Sequence, residues 1–143
     1  MNRPLLFLPL LALATSACGE DFTHLRFDDL TQPPLPVSTS RRTISIYEGT
    51  AFAARAVAMD DDDPMDEPPD VQLRPCNAEV AGVARAPDDR IWHEGFAGDD
   101  DRPPEERAPA FVIWGASEGR SCLRVLLDGE DGGSIAVNVI RSR

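Results

Sequence analysis

Between an apolar run that ends at Trp114 and an alternating run that begins at Ser121, the sequence reads Gly115-Ala-Ser117-Glu-Gly119. This is the G-x-S-x-G spacing of a serine nucleophile elbow, where a sharp strand-to-helix turn lifts a hydroxyl toward an acyl carbonyl. That chemistry needs a helix behind the serine, and an acid and a histidine after it to carry the proton. No histidine follows Ser117; His24 and His93 both precede it. The residues behind the motif alternate with a period of two, so the spacing predicts a Gly-rich turn between strands. Ser117 is not expected to be a nucleophile.

Trp92-His93-Glu94 sets a histidine beside a carboxylate, a pair that could move a proton. Chain neighbours point apart, and no second carboxylate or nucleophile is identifiable as a partner, so an exposed loop is expected. His24 has no constellation around it. The chain contains no lysine, which excludes Schiff-base chemistry and lysine-assisted serine catalysis. Phosphate-loop, dinucleotide and zinc-protease patterns are also missing. The sequence predicts no enzyme and no catalytic residue.

Two acidic runs remain. One is Asp60, Asp61, Asp62 and Asp63, with Asp66, Glu67 and Asp70 nearby; the other is Asp99, Asp100 and Asp101, followed by Glu105 and Glu106. Calcium takes six to eight oxygens from a loop of defined geometry. Neither run has the EF-hand order, and Asp128-Gly-Glu-Asp-Gly-Gly133 lacks the closing glutamate. Prolines punctuate both runs, and dense like charge repels and solvates. Disordered, solubilising loops without a cofactor are expected. The alternative is calcium held by the seven aspartates Asp60 to Asp63 and Asp99 to Asp101.

The elements that carry these residues belong to a chain of 143 residues with 25 acidic side chains against 14 arginines, a formal charge of −11. That balance argues against charge-driven binding to nucleic acid or anionic headgroups, since both need a basic surface. At 42% hydrophobic residues the chain can bury one modest core. Thirteen prolines and ten glycines leave little room for long helices.

The chain opens on Arg3 and an apolar stretch from Leu5 to Ala14, the length of a signal-peptide h-region and too short for a permanent span. Thr15, Ser16 and Ala17 lead to Cys18. An h-region that ends on a cysteine resembles the lipobox of bacterial lipoproteins, with Thr15 where that pattern has leucine. The resemblance implies cleavage before Cys18, lipid on its thiol, and attachment to a membrane through that anchor. Gly19 stands where an aspartate would retain the protein at the inner membrane, which implies the outer membrane of a Gram-negative envelope. An ordinary secretory signal cleaved after Ala17 is the alternative and would leave a secreted or periplasmic protein.

If Cys18 carries lipid, Cys76 and Cys122 form an even pair in an exported chain and are expected to oxidise. Neither has the nearby His or Cys partners that a zinc site needs. The organisation is then a signal peptide over 1–17, a flexible tether over 18–41, and one domain over 42–143. Pro33-Pro-Leu-Pro36 favours extended backbone within the tether. Phe22, Leu25, Phe27 and Leu30 are spaced close to helically and would suit a short turn docked on the domain.

From Arg42 onward the pattern alternates. Strands are expected over 43–47, 50–58, 70–74, 79–83, 110–114, 121–127 and 134–140. Phe52, Ala54 and Ala56 share one face, opposite Arg55; Leu123, Val125 and Leu127 lie opposite Arg124; Ile135, Val137 and Val139 point inward. Asp128 to Gly133 reads as a hairpin connection. Seven short strands with turn signals between them predict an all-β sandwich. Cys122 shares the parity of Arg124 and Cys76 lies off the parity of Val71 and Leu73, so both should face outward.

The order Ile44…Glu48-Gly-Thr50, Val71-Gln-Leu73, Gly115 to Val125 and Ile135-Ala-Val-Asn-Val139 resembles bacterial immunoglobulin-like domains over Arg42 to Ile140. Arg74-Pro-Cys76 replaces the Trp-Ser-Ser stretch common there, and insertions occur around Asp60–Pro69 and Ala97–Pro109. The resemblance implies an immunoglobulin-like β-sandwich whose third and sixth strands are sheet neighbours. A Cys76–Cys122 bridge would then staple neighbours within one sheet, unlike the buried inter-sheet bridge of antibody domains. Taken with the lipobox, it implies a lipid-anchored cell-envelope protein with a structural role, or one of interaction with a protein or glycan. The alternative is a calcium- or carbohydrate-binding accessory lipoprotein that uses the acidic loops.

Overall fold

The computed structural model describes residues 21–87 and 102–142. The described chain runs through β1 (His24–Asp29), β2 (Ser38–Thr39), β3 (Thr43–Tyr47), β4 (Ala51–Asp60), β5 (Asp63–Pro64), β6 (Val71–Pro75) and β7 (Ala81–Arg85). A helical turn, α1 (Pro104–Arg107), precedes β8 (Ala110–Gly115), β9 (Gly119–Leu127) and β10 (Glu130–Ile140). All seven strands expected from the alternation are present, the one over 43–47 with the expected ends and the others with shifted ends.

One sheet has the order β1-β4-β8-β7, with β5 folded back on β4; the other has the order β2-β3-β10-β9-β6. Read as strands A, B, E and D in one sheet and C, F and G in the other, this is the immunoglobulin-like wiring. The first strand is divided between the sheets. β1 pairs antiparallel with β4, from His24 opposite Met59 to Asp29 opposite Ala54. β3 pairs parallel with β10, from Thr43 opposite Ala136 to Tyr47 opposite Ile140. Pro33-Pro-Leu-Pro36 lies between them. Proline cannot donate to a ladder, so the run suits the stretch that leaves one sheet for the other.

This corrects the tether expected over 18–41. Residues 24–29 are a sheet strand, and Leu25 and Phe27 lie in the core at 2% and 9% exposure. Their spacing of two, rather than the helical spacing of the wider set, matches the burial, whereas Leu30 stays exposed.

The core lies between the sheets, and inward parity assigns it. The first sheet supplies Leu25, Phe27, Phe52, Phe111 and Ile113 around the small residues Ala54, Ala56 and Ala58. The second supplies Ile44, Ile46, Leu73, Leu123, Val125, Ile135, Val137 and Val139. Large aromatic groups from β1, β4 and β8 fill the space that the alanines of β4 leave. Each fully buried Leu, Ile or Phe contributes about 1.5–3 kcal/mol through removal from water. Leu127, expected inside, packs against the core while only partly buried.

β4 is buried on both faces near its end. Val57 and Met59 point to the outer side and pack with Ala108, which follows α1. The Arg55 guanidinium donates to the Ala108 carbonyl at 2.9 Å, and the Ala56 amide donates to Pro109 at 2.9 Å. Residues 102–109 of the second insertion are therefore docked on the sheet. In the first insertion, Asp60 pairs with Asp63 across the two-residue turn Asp61-Asp62, and Met65 is buried behind it. Neither described stretch is the disordered loop expected from its charge.

The β9–β10 connection is tighter than its six turn-forming residues suggest. Leu127 pairs with Glu130 across Asp128-Gly129, both at positive φ, and Gly132-Gly133 form a bulge before Ser134 meets Arg124. Two consecutive positive φ angles match the right-handed twist of a hairpin.

Gly82 of β7 sits opposite Trp114 of β8. A Cβ at Gly82 would meet the indole Cε2 and Cζ2 at 2.2 Å, so the ring lies across the bare glycine. Gly82→Ala is expected to push the indole off the sheet and cost about 1–3 kcal/mol by overpacking. Thermal unfolding together with tryptophan emission checks this: unchanged stability and emission would show that the ring does not rest there.

Candidate functional site

Ser117 lies in the turn between β8 and β9, with no helix behind it. Its hydroxyl donates to the Glu79 carbonyl, while the amides of Ala116 and Ser117 donate to Val80 at 2.8 and 3.2 Å. The serine therefore pins the β8–β9 corner to the segment before β7. His24, the histidine among the described residues, lies on β1 with its Nδ1 3.0 Å from the Thr23 hydroxyl. The structure does not bring it to Ser117. His93, Cys18, Asp99, Asp100 and Asp101 lie outside the described residues.

The Asp60–Asp63 turn is anchored by the segment ahead of β1. The Thr23 hydroxyl accepts the Asp61 amide at 2.9 Å and donates to the Met59 carbonyl at 3.0 Å. Asp62 pairs with Arg41, and Asp60 accepts the Asp21 amide at 3.3 Å. Among the described residues, no three His, Cys, Asp or Glu side chains converge on a position for a metal ion.

A cleft of about 390 Å³ opens between β1 and the β2–β3 corner, lined by His24, Arg26, Asp28, Arg41 and Asp62 among others. Four of its charges are paired within it: Arg26 forks onto Asp28 at 2.8 and 2.9 Å, and Arg41 holds Asp62. Burial, then the nearby Arg41, lowers the His24 pKa below its ordinary value, which disfavours the charged ring. The Asp28 carboxylate, through its hydrogen bonds, raises that of Arg26. The cleft is lined mainly by paired charges, with the Asp61 carboxylate and the His24 ring beside them.

Cys76 and Cys122 are joined, with Cα atoms 5.1 Å apart. β6 and β9 are antiparallel neighbours with Pro75 opposite Leu123, so the next residues outward are the two cysteines. The Cys76 amide also donates to the Cys122 carbonyl at 2.8 Å. The bridge staples neighbouring strands of one sheet, as the outward parity of both cysteines requires.

Around the bridge, the outer face of the second sheet carries a charge pattern that the motifs did not reveal. Arg74 on β6 stands directly opposite Arg124 on β9, and Arg120 follows on the same side of β9 opposite Asn138. All three arginines are exposed. Arg124 reaches Asp131 at 3.5 Å, while Arg74 and Arg120 make no hydrogen bond or ion pair among the described residues. Several arginines elsewhere are engaged: Arg26 with Asp28, Arg85 with Asp70 at 2.8 Å, and Arg141 with Glu118 at 3.2 Å. Parity alone places Arg120 and Arg124 together; only the β6–β9 register adds Arg74.

No family model matches the chain, and no curated protein matches it. Among solved structures it is similar to domains 4 and 5 of the S-layer protein SbsC, at 12% identity over 76% of this chain and 54% of that one, with a TM-score of 0.43. It is also similar to domains 5–6 of SbsC, at 14% identity over 76% and 45% of the two chains, with a TM-score of 0.45. Domains 1–6 give 12% identity over 83% and 14%, with a TM-score of 0.44. The chain spans about half or less of the length of these structures. Likenesses of this size assign neither a function nor a partner.

Proposed function

We propose that this chain is a lipid-anchored, non-catalytic immunoglobulin-like protein of the bacterial cell envelope, with a structural role or one of interaction with a protein or glycan. The observation that carries the reading is the Cys76–Cys122 bridge on the outer face of a sheet. Disulfides of this kind persist in oxidising compartments outside the cytosol. Cys18 at the end of the export segment supplies the anchor, and Gly19 after it favours the outer membrane. Ser117, the one motif of catalytic spacing, spends its hydroxyl on the Glu79 carbonyl and supports a scaffold rather than an enzyme. No cofactor enters this reading.

Intact-mass spectrometry of the mature protein from a bacterial host, with and without reduction, tests it. The expected result is a chain that starts at Cys18, carries a lipid-sized addition, and gains two hydrogens on reduction. A mature chain without lipid would remove the anchor. A chain with free thiols at Cys76 and Cys122 would remove the oxidising compartment.

A further inference from the structure

We infer that the outer face of the second sheet, around Arg74, Arg120 and Arg124, binds an acidic polysaccharide. The choice of a glycan partner rests on the envelope reading above; the face itself is argued from its charge. In a chain of net charge −11, this face sets two arginines directly opposite each other on neighbouring strands. Like charges in that position are destabilising. Acidic residues are abundant and neutralise several arginines elsewhere in the molecule, while Arg74 and Arg120, like Arg42, have no side-chain partner among the described residues. An anion bridging Arg74 and Arg124 removes the repulsion, and the planar guanidinium fork fits the paired oxygens of a carboxylate.

The shape of the face selects a polymer. None of the described cavities is lined by these arginines, so a small anion would not be enclosed. Affinity must come from repeated contacts along a flat surface. Arg120 lies four residues from Arg124 on the same side of β9, roughly 13 Å away at about 3.3 Å per residue. The two positions form a line that a chain with repeating acid groups can follow. Beside it, Thr43, Ser45, Ser134 and Asn138 share the outward side of β3 and β10 and offer short donors and acceptors to sugar hydroxyls. An acidic peptide that binds by adding a strand needs an open sheet edge. β9 and β10 have neighbours on both sides, and the open edge is β6, so an added strand would lie beyond Arg74, on the side away from the line between Arg124 and Arg120.

The test is binding of the full chain to polygalacturonate, with neutral dextran and polyglutamate as comparison polymers, at low and at physiological salt. Polygalacturonate is expected to bind with an affinity that falls as salt rises, and dextran is expected not to bind. Arg74→Gln with Arg124→Gln should weaken binding at least tenfold, and Arg120→Gln severalfold. Arg85→Gln, on the other sheet, should stay within twofold. The double variant should melt at or above the wild-type temperature, because the opposed charges are gone. Equal binding by wild type and double variant would overturn the proposal, as would no binding at low salt or tighter binding of polyglutamate. A double variant that melts below wild type would show the arginines to be structural and would also overturn it. None of these outcomes depends on the lipid anchor, so failure here is distinct from failure of the envelope reading.

Discussion

Replacing Cys76 and Cys122 together with serine is expected to lower stability by about 4 kcal/mol, the chain-entropy estimate for this loop. The bridge spans a sequence separation of 46, so its loss frees a long loop in the unfolded chain. The native state changes little. β6 and β9 remain held by the ladder from Val71 opposite Leu127 to Pro75 opposite Leu123, and both sulfurs lie on the outer side, away from the core. For a domain of this size the loss corresponds to a fall in melting temperature of roughly 10–25 °C. Calorimetry of the double variant, and of the wild type with reductant, should give matching curves. A loss below about 1 kcal/mol would mean that the unfolded chain is already restricted in this region.

Leu25→Ala is expected to cost about 3 kcal/mol, and Leu30→Ala less than about 0.5 kcal/mol. The residues are of one type, five positions apart, in a stretch whose sequence suggests a tether. Leu25 is 2% exposed and packs in the core; Leu30 is 49% exposed past the end of β1. Truncating Leu25 leaves a void between the two sheets that β1 cannot move to fill, because its ladder opposite Met59 to Ala54 holds it in place. Denaturant unfolding of the two variants separates the cases. Two equally small losses would show that β1 does not belong to the cooperative unit.

The seven strands of the region from Arg42 onward were legible because burial on one side leaves a period of two in the sequence. The same parity turned Cys76 and Cys122 outward. β1 escaped notice because Phe22 and Leu30 add intervals of three on each side of the Leu25–Phe27 pair and blend it into a near-helical spacing. The burial of Val57 and Met59 depends on Ala108, far along the chain, so no local pattern could report it. The acidic run at Asp60 was judged on repulsion. Its order comes from contacts with Thr23 and Arg41 that the sequence does not place beside it. Ser117 was legible as a turn residue, since the missing downstream histidine decided against catalysis. The arginine face was half legible: β9 supplied the parity, and only the register against β6 brought Arg74 opposite Arg124.

The parallel register of β3 with β10 has a mechanical consequence. β3 lies toward the start of the sandwich and β10 at its end, and the two run the same way, with Thr43 beside Ala136 and Tyr47 beside Ile140. Tension that draws the beginning of β3 away from the end of β10 pulls along the strands, so their hydrogen bonds resist together in shear instead of opening one after another. Force applied between the start of β3 and the end of β10 would have to break this pairing as a unit.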